Sequence, residues 1–501
     1  MRFKKLITIP IILVVFLLLA FIVKGNKDVA IKNQTEEEMI YGVGSPFEST
    51  GSTSRYMLVK AIVDDNTFFF DDKKAKASAP DLVWYNGKYF SIFTPGVSFI
   101  AIPFYLFGSY VGFPQLATFS LTIIVSIINF LLVSKISRKV GAGFFTSFIA
   151  GIIFLFATNG LPYSLTLTQH HLSTLILLLA LNNVLSKRTL TNNLSLGILF
   201  GVGALVDIPN IFILLPLILY AVFNHFDVDN KKLKLKINLK LIALGIGVLP
   251  LMVLFAFYNH SLTGSYFKLG QTIGRSDYPV NLVKVLDRAS KDGGISLPLN
   301  SRIQLHGLQV SLFNTERAIW FYSPVILFGV FGLYYLWRDE EKRKLVLLSI
   351  STMLMIIVFY SMHGDPWGGW AFGDRYMIPV YALLTSGVAI FIDKFKKNIP
   401  VMLFFLCVLI YSLGVNVLGA MTTTQIPPKV EAVALSKPIP YTYRYNWDLM
   451  NKGLNSSLFY DAYLKDSLTS KDYLILYTAI VLTLITILYT GSLIEERSAK
   501  K

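Results

Sequence analysis

The chain is almost devoid of cysteine: Cys407 is the single one in 501 residues. Disulfides within the chain are therefore excluded, as is any cysteine-built metal centre. Histidine is scarce, with six in all and no H-E-x-x-H spacing among them. His170 and His171, at the end of YSLTLTQHH, have no third ligand or carboxylate beside them. A zinc enzyme needs more than such a pair. No glycine-rich phosphate loop and no repeat of roughly 20 to 50 residues occurs, so a nucleotide substrate and a repeat architecture are both disfavoured. The interiors of the long apolar runs are nearly free of charge. A transporter instead places ionisable groups near span centres and broken helices in paired repeats.

What the chain has in abundance is apolar surface: 54% of its residues are hydrophobic and 14% aromatic. That is too apolar for a soluble chain of this length, so it reads as an integral membrane protein. The net charge is +16. Its lysines and arginines, however, fall in short clusters at the ends of apolar runs, where they orient helices, and nucleic acid is not expected as a partner. The opening MRFKK and the apolar run to Val23 are followed by no A-x-A-like cleavage site, so this segment is expected to remain as a first span.

Thirteen segments are apolar enough to be membrane helices, near 6 to 23, 94 to 112, 115 to 135, 142 to 158, 166 to 186, 193 to 206, 208 to 224, 239 to 258, 318 to 337, 345 to 362, 376 to 393, 399 to 421 and 472 to 493. The basic stretches at 134 to 139, 186 to 188, 229 to 236, 338 to 344 and 394 to 397, with the tail EERSAKK, are expected on the cytoplasmic side. From a cytoplasmic N-terminus this holds only if 94 to 112, broken by Pro95, Gly96 and Pro103, does not cross. It then reads as a re-entrant or interfacial helix, and the fold as all-α and polytopic with about twelve spans. The loops at 24 to 93, 259 to 317, 363 to 375 and 423 to 471 would share the extracytoplasmic face. The expected division is a module over 1 to 395 and further spans over 396 to 501.

Chemistry-bearing residues gather in those loops. In the first, residues 54 to 63 read as an amphipathic helix lying on the membrane, with Tyr56, Leu58, Val59 and Ile62 toward lipid and Arg55 and Lys60 wet. Trp84, Tyr85, Lys88 and Tyr89 surround a hairpin-like Asn86-Gly87 turn. Glu48 and Asp81 are carboxylates beside aromatic segments, suited to act as a general base toward a hydroxyl. Arg55 and Lys88 are cations suited to a phosphate, and aromatics such as Trp84 and Tyr89, with Tyr85 beside them, offer flat apolar faces to a sugar ring or lipid chain. An aromatic interfacial belt with surface charges explains the same residues equally simply. His170 and His171 point to hydrogen bonding with a substrate oxygen or a neighbouring helix, and Asp207 either caps the helix starting at Pro209 or binds substrate. Between two apolar runs, HGDPWGGWAFGDRYMIPV sets Asp365, Trp370, Asp374 and Arg375 among four glycines. Arg375 at a span's mouth suits a phosphate at headgroup level, or else Asp374 and Arg375 stabilise the next helix.

The order of a first span, a long outer loop, SRYMLVKAIVDDNTFFFD, YNGKYFSIFTPGVSFIAIPFY, YSLTLTQHH, ERAIWFYSPVILFG at 316 to 329 and WGGWAFGDRYMIP at 367 to 379 resembles the GT-C superfamily of membrane glycosyltransferases, the protein-mannosyltransferase and aminoarabinose-transferase group. The resemblance covers most of residues 1 to 395. It implies an all-helical membrane fold and nucleotide-independent, inverting transfer of a sugar from a polyprenyl-phosphate donor to an extracytoplasmic protein, lipid or glycan acceptor. The family carries its catalytic carboxylate in the first outer loop, often as Asp-Glu just before the membrane-lying helix. The matching place, Ser52-Thr53-Ser54-Arg55-Tyr56, holds no acid, and Asp81 and Glu48 are the nearest substitutes. By the same resemblance Lys88 and Arg375 are expected at the lipid phosphate. No cofactor is expected, and a divalent metal ion stays open. A lipid-linked glycan flippase, a glycan polymerase or ligase, and a non-catalytic membrane partner are the alternatives.

Overall fold

The computed structural model describes residues 2–25, 42–187, 189–223, 226–229, 232–235, 238–281 and 304–499. Parts of the loops at 24 to 93 and 259 to 317, and of the basic stretch at 229 to 236, lie outside the described residues. Each of the thirteen apolar segments contains a helix, the one at 318 to 337 broken at Ser323 into Ile319–Tyr322, a 3-10 turn over Pro324–Leu327 and Phe328–Trp337. Among the described residues six helices are long and apolar enough to cross a membrane, and seven more are apolar over 10–17 residues. The early helices are α1 (Arg2–Ala20), α2 (Thr50–Asp64), α3 (Asp72–Ser78), α4 (Gly96–Val111), α5 (Pro114–Lys139), α6 (Phe144–Phe156), α7 (Gly160–Ser164), α8 (His170–Val184), α9 (Leu190–Val206), α10 (Pro209–Phe223) and α11 (Leu239–Thr263). The later long ones are Phe328–Trp337, Arg343–Ser361, Ile378–Phe395, Ile399–Met421 and Ser470–Ala499.

The helices pack through small residues, as membrane helices do when lipid is as apolar as their own side chains. A Cβ on Gly332 would lie 1.8 Å from the carbonyl oxygen of Gly387, and one on Gly197 2.1 Å from that of Leu244. Only glycine permits these approaches.

The described basic clusters meet at one end of the bundle. There Lys139 donates to Asn182 O and Ser186 Oγ, Lys394 lies over the Tyr335 ring, and Lys396 and Lys397 pair with Glu496. Asp393 receives the Gly143 N–H at 2.8 Å and the Thr146 hydroxyl at 2.9 Å, satisfying donors at the start of α6. The far ends of the same helices carry the polar loops.

Helix α4 does not run to the basic end. It starts against the end of α9, where Thr94 Oγ1 donates to Val206 O at 2.9 Å. It finishes at the first turn of α5, whose Gln115, Leu116 and Phe119 lie beside Val23, Lys24 and Pro46. Both places belong to the polar-loop end, so the interfacial reading of 94 to 112 describes the fold.

Helix α2 departs from expectation. Tyr56, Leu58 and Val59 are buried against protein, and Arg55 is only 3% exposed. The cause is α4, which folds back across α2: Ser98 Oγ donates to Arg55 O at 2.9 Å, and Tyr105 packs edge-on to Tyr56. A three-stranded antiparallel sheet of β1 (Phe69–Phe70), β2 (Leu82–Tyr85) and β3 (Lys88–Ser91), in the order β1-β3-β2, flanks them. Its β2–β3 turn has Asn86 and Gly87 at φ 48° and 77°, the left-handed pair that a two-residue hairpin requires.

Candidate active site

A cavity of about 850 Å³ opens at the polar-loop end, walled by α2, the segment before β2, the α9–α10 turn, residues 271–275 and the 363–376 loop. Among the residues singled out in the sequence, Arg55, Asp81, Asp207, Asp365, Trp370 and Arg375 line it. They come from four separate stretches of chain, brought together by the helix ends.

Asp81 sits just before β2. Its Oδ2 accepts from Thr50 Oγ1 at 2.7 Å, and Arg275 Nε lies 2.9 Å from its Oδ1. Its backbone is pinned as well, with Ser54 Oγ donating to Asp81 O at 2.8 Å. The carboxylate thus has a defined direction.

Arg55 projects from α2, its guanidinium 3.7 Å above the Phe93 ring. Nη1 donates to Gly51 O at 2.8 Å and Nη2 to Gln169 Oε1 at 2.7 Å. Gln169 in turn donates from Nε2 to Asp207 Oδ2 at 3.1 Å. A chain of Arg55, Gln169 and Asp207 therefore spans one wall. Burial lowers the Arg55 pKa to about 10, against the pull of Asp207 and Asp81, and the side chain stays charged at neutral pH. Burial raises the Asp207 carboxyl to about 6, opposed by Arg55 and by the Gln169 hydrogen bond. Asp207 is thus a group that changes charge near neutrality.

The 363–376 loop supplies the facing wall. Gly368 and Gly369 both have left-handed backbone, at φ 69° and 66°, a conformation that favours glycine. Arg375 Nη2 donates to Gly368 O at 2.7 Å, which turns its guanidinium back across the loop. Tyr376 and Tyr360 stack with centroids 4.1 Å apart. The loop is held from behind by Arg317, which is fully buried and donates to Trp367 O, Glu316 O, Gly369 O and Ile426 O. ERAIWFYSPVILFG thus contributes a bracket for the glycine-rich motif.

No protein-family model matches the chain, and no curated protein matches it. Solved structures do. The apo oligosaccharyltransferase of Archaeoglobus fulgidus matches with a TM-score of 0.51 at 15% identity, over 83% of this chain and 56% of that one. Archaeal oligosaccharyltransferase AglB from Archaeoglobus fulgidus, in complex with an inhibitory peptide and a dolichol-phosphate, matches at 0.51 and 14% identity, over 85% and 57%. ArnT from Cupriavidus metallidurans in the apo state gives 0.50 at 13%, over 97% and 76%. The chain has the GT-C fold. It spans a little over half the length of the archaeal oligosaccharyltransferases. At these identities the likeness is one of fold.

Within this GT-C fold the remaining sequence candidates lie apart from the cavity lining. Glu48 is buried in a closed network: Lys24 Nζ at 2.5 Å, Thr423 Oγ1 at 2.6 Å, Gly44 N at 2.7 Å, and the backbone and hydroxyl of Thr424, both at 2.9 Å. Burial opposes its ionisation, but Lys24 and these donors hold its pKa below the ordinary value. It ties the end of α1 to the loop at 423 to 471. Tyr85 meets Lys268 Nζ, Tyr89 accepts from Val280 N, and Lys88 lies exposed over the Phe69 ring. His171 packs between Gly160 O and Asn129 in the helix interior. His170 is buried edge-on to Tyr163 and Tyr376. Asp374 is buried behind the wall, its Oδ1 accepting from Tyr376 N at 3.0 Å. Burial raises its pKa to about 6.

Other lining residues escaped the sequence reading: Thr50, Gln169, Arg275, Tyr376, Gln425 and Glu431. Gln169 stood in YSLTLTQHH next to the histidines that drew attention instead. Arg275 lies 194 positions from Asp81, with no local pattern around it.

Proposed function

We propose that this chain transfers a sugar from a polyprenyl-phosphate donor to a hydroxyl-bearing acceptor, at the membrane face opposite the basic loops, which is the extracytoplasmic one by the positive-inside rule. The observation that carries the proposal is one cavity holding a directed carboxylate, Asp81, together with Arg55, Arg275 and Arg375. A solved AglB of the same fold contains a dolichol-phosphate, a lipid of the proposed donor class.

In the reaction the acceptor oxygen attacks the anomeric carbon while the bond from that carbon to the phosphate oxygen breaks. The bonding pair leaves with the lipid phosphate, already anionic, so no acid need protonate it. The hydroxyl proton passes to Asp81. Arg55, Arg275 and Arg375 offer N–H donors to the departing phosphate. Among the described residues no three His, Cys, Asp or Glu side chains group as a metal site, and no step is assigned to a metal. A single displacement of this kind inverts the sugar.

The test uses purified protein in proteoliposomes with radiolabelled polyprenyl-phosphate hexoses and pentoses. Expected are release of polyprenyl phosphate and a product of inverted configuration. No turnover and no binding of any such lipid would remove the proposal, and a product of retained configuration would remove the single-step mechanism.

A further inference from the structure

Trp370 is a large aromatic ring that stays 37% exposed at the cavity rim, although the backbone carrying it is held on both sides. Arg317 Nη2 reaches Gly369 O at 3.3 Å, and Ala371 N donates to Ile426 O at 2.9 Å. The ring plane is fixed too, because Trp370 Nε1 donates to Glu431 Oε2 at 2.5 Å. Glu431 belongs to the short helix Lys429–Ala434 in another loop, is exposed, and also lines the cavity. Among the described residues its second oxygen, Oε1, has no hydrogen-bond partner. Gln425 lines the same rim, its Nε2 spent on Thr424 Oγ1.

A rigid, half-open indole face beside an available carboxylate oxygen matches the two surfaces of a sugar ring, an apolar face of C–H groups and an edge of hydroxyl donors. An anchored Trp in a headgroup belt needs neither a carboxylate clasp nor a place on a cavity wall. Of the arginines offered to the donor phosphate, Arg55 and Arg375 are more buried than Trp370, and Arg275, about half exposed, stands beside Asp81. We infer that Trp370 and Glu431 form an acceptor subsite, and that the acceptor is a saccharide hydroxyl, its ring stacked on Trp370 and a neighbouring hydroxyl donating to Glu431 Oε1. This rests on the transferase reading and adds to it the class of acceptor.

The experiment reads binding of p-nitrophenyl glycosides to the detergent-solubilised full chain by saturation-transfer difference NMR, with no donor present. The wild type is expected to bind hexosides. Trp370→Ala is expected to weaken binding about tenfold, Trp370→Phe much less, and Glu431→Gln by an intermediate factor. Unfolding midpoints of the variants, measured in parallel, separate lost binding from lost fold. No glycoside binding by the wild type, or equal binding by a folded Trp370→Ala, would overturn the subsite. Displacement of the glycoside by a polyprenyl-phosphate sugar but not by a second glycoside would assign Trp370 to the donor sugar and also overturn it. Because binding is read and not turnover, these outcomes are distinct from absent donor turnover, which speaks against the transferase reading.

Discussion

Asp81→Asn is the sharpest perturbation of the proposed chemistry, since it removes the base with little change of shape. In the wild type Thr50 donates to Oδ2 and Arg275 Nε faces Oδ1. An asparagine can keep both neighbours, its carbonyl turned to Arg275 and its amide donating to the Thr50 hydroxyl, which is free to reverse its role. Arg275 has no such freedom, so the amide has one preferred orientation. The fold is therefore expected to survive, while a proton acceptor is lost from the point where the hydroxyl must give up its proton. A positioned base contributes roughly 10²- to 10⁴-fold, or about 3 to 5.5 kcal/mol at 1.36 kcal/mol per decade. The assay is initial-rate release of polyprenyl phosphate in proteoliposomes at saturating donor, with size-exclusion profiles to confirm intact protein. A loss of less than about tenfold in a monodisperse variant would refute the assignment of Asp81 as base.

Three further outcomes follow from the geometry. Asp207 is raised to about 6 from 3.8, so it takes up a proton on folding. Its contribution to stability is full below 3.8 and lost as pH rises through 6. Protonation also releases the charge of Arg55, so binding of a polyprenyl-phosphate sugar, a diester of constant charge, should tighten between pH 7.5 and 5.5. Asp207→Asn should flatten that profile, and an unchanged profile would disprove the coupling. Lys24→Met, which strands the buried Glu48, should destabilise by about 3 to 5 kcal/mol. Adding Glu48→Gln should recover part of the loss in thermal unfolding, whereas no recovery would mean the charge was not the problem. Gly332→Val, whose Cβ meets a backbone oxygen at 1.8 Å, should abolish a monodisperse profile, while Gly414→Ala, with nothing within 4 Å, should not.

The membrane architecture was legible because it rests on local properties. Apolar run length, the prolines and glycine of 94 to 112, and the basic clusters each act through their own segment, and they are enough to keep α4 away from the basic end. The glycine motif was legible for a related reason: a backbone requirement at Gly368 and Gly369 is written at those two positions alone. The site is different, because its working pairs are non-local. Glu48 and Asp81 look alike along the chain, each an acid near aromatics, and what separates them is Lys24 from one side and Arg275 from the other. Arg55 shows the same limit in reverse. Its place on an amphipathic pattern promised a wet cation beside lipid, and only the return of α4 across the helix turns it inward to Gln169 and Asp207. Burial then converts an ordinary surface charge into one whose electrostatics depend on the few charged neighbours in the wall, Asp207 and Asp81 first. The cavity's function is therefore carried by contacts between loops, which explains why the motifs are individually weak while the assembled wall is specific.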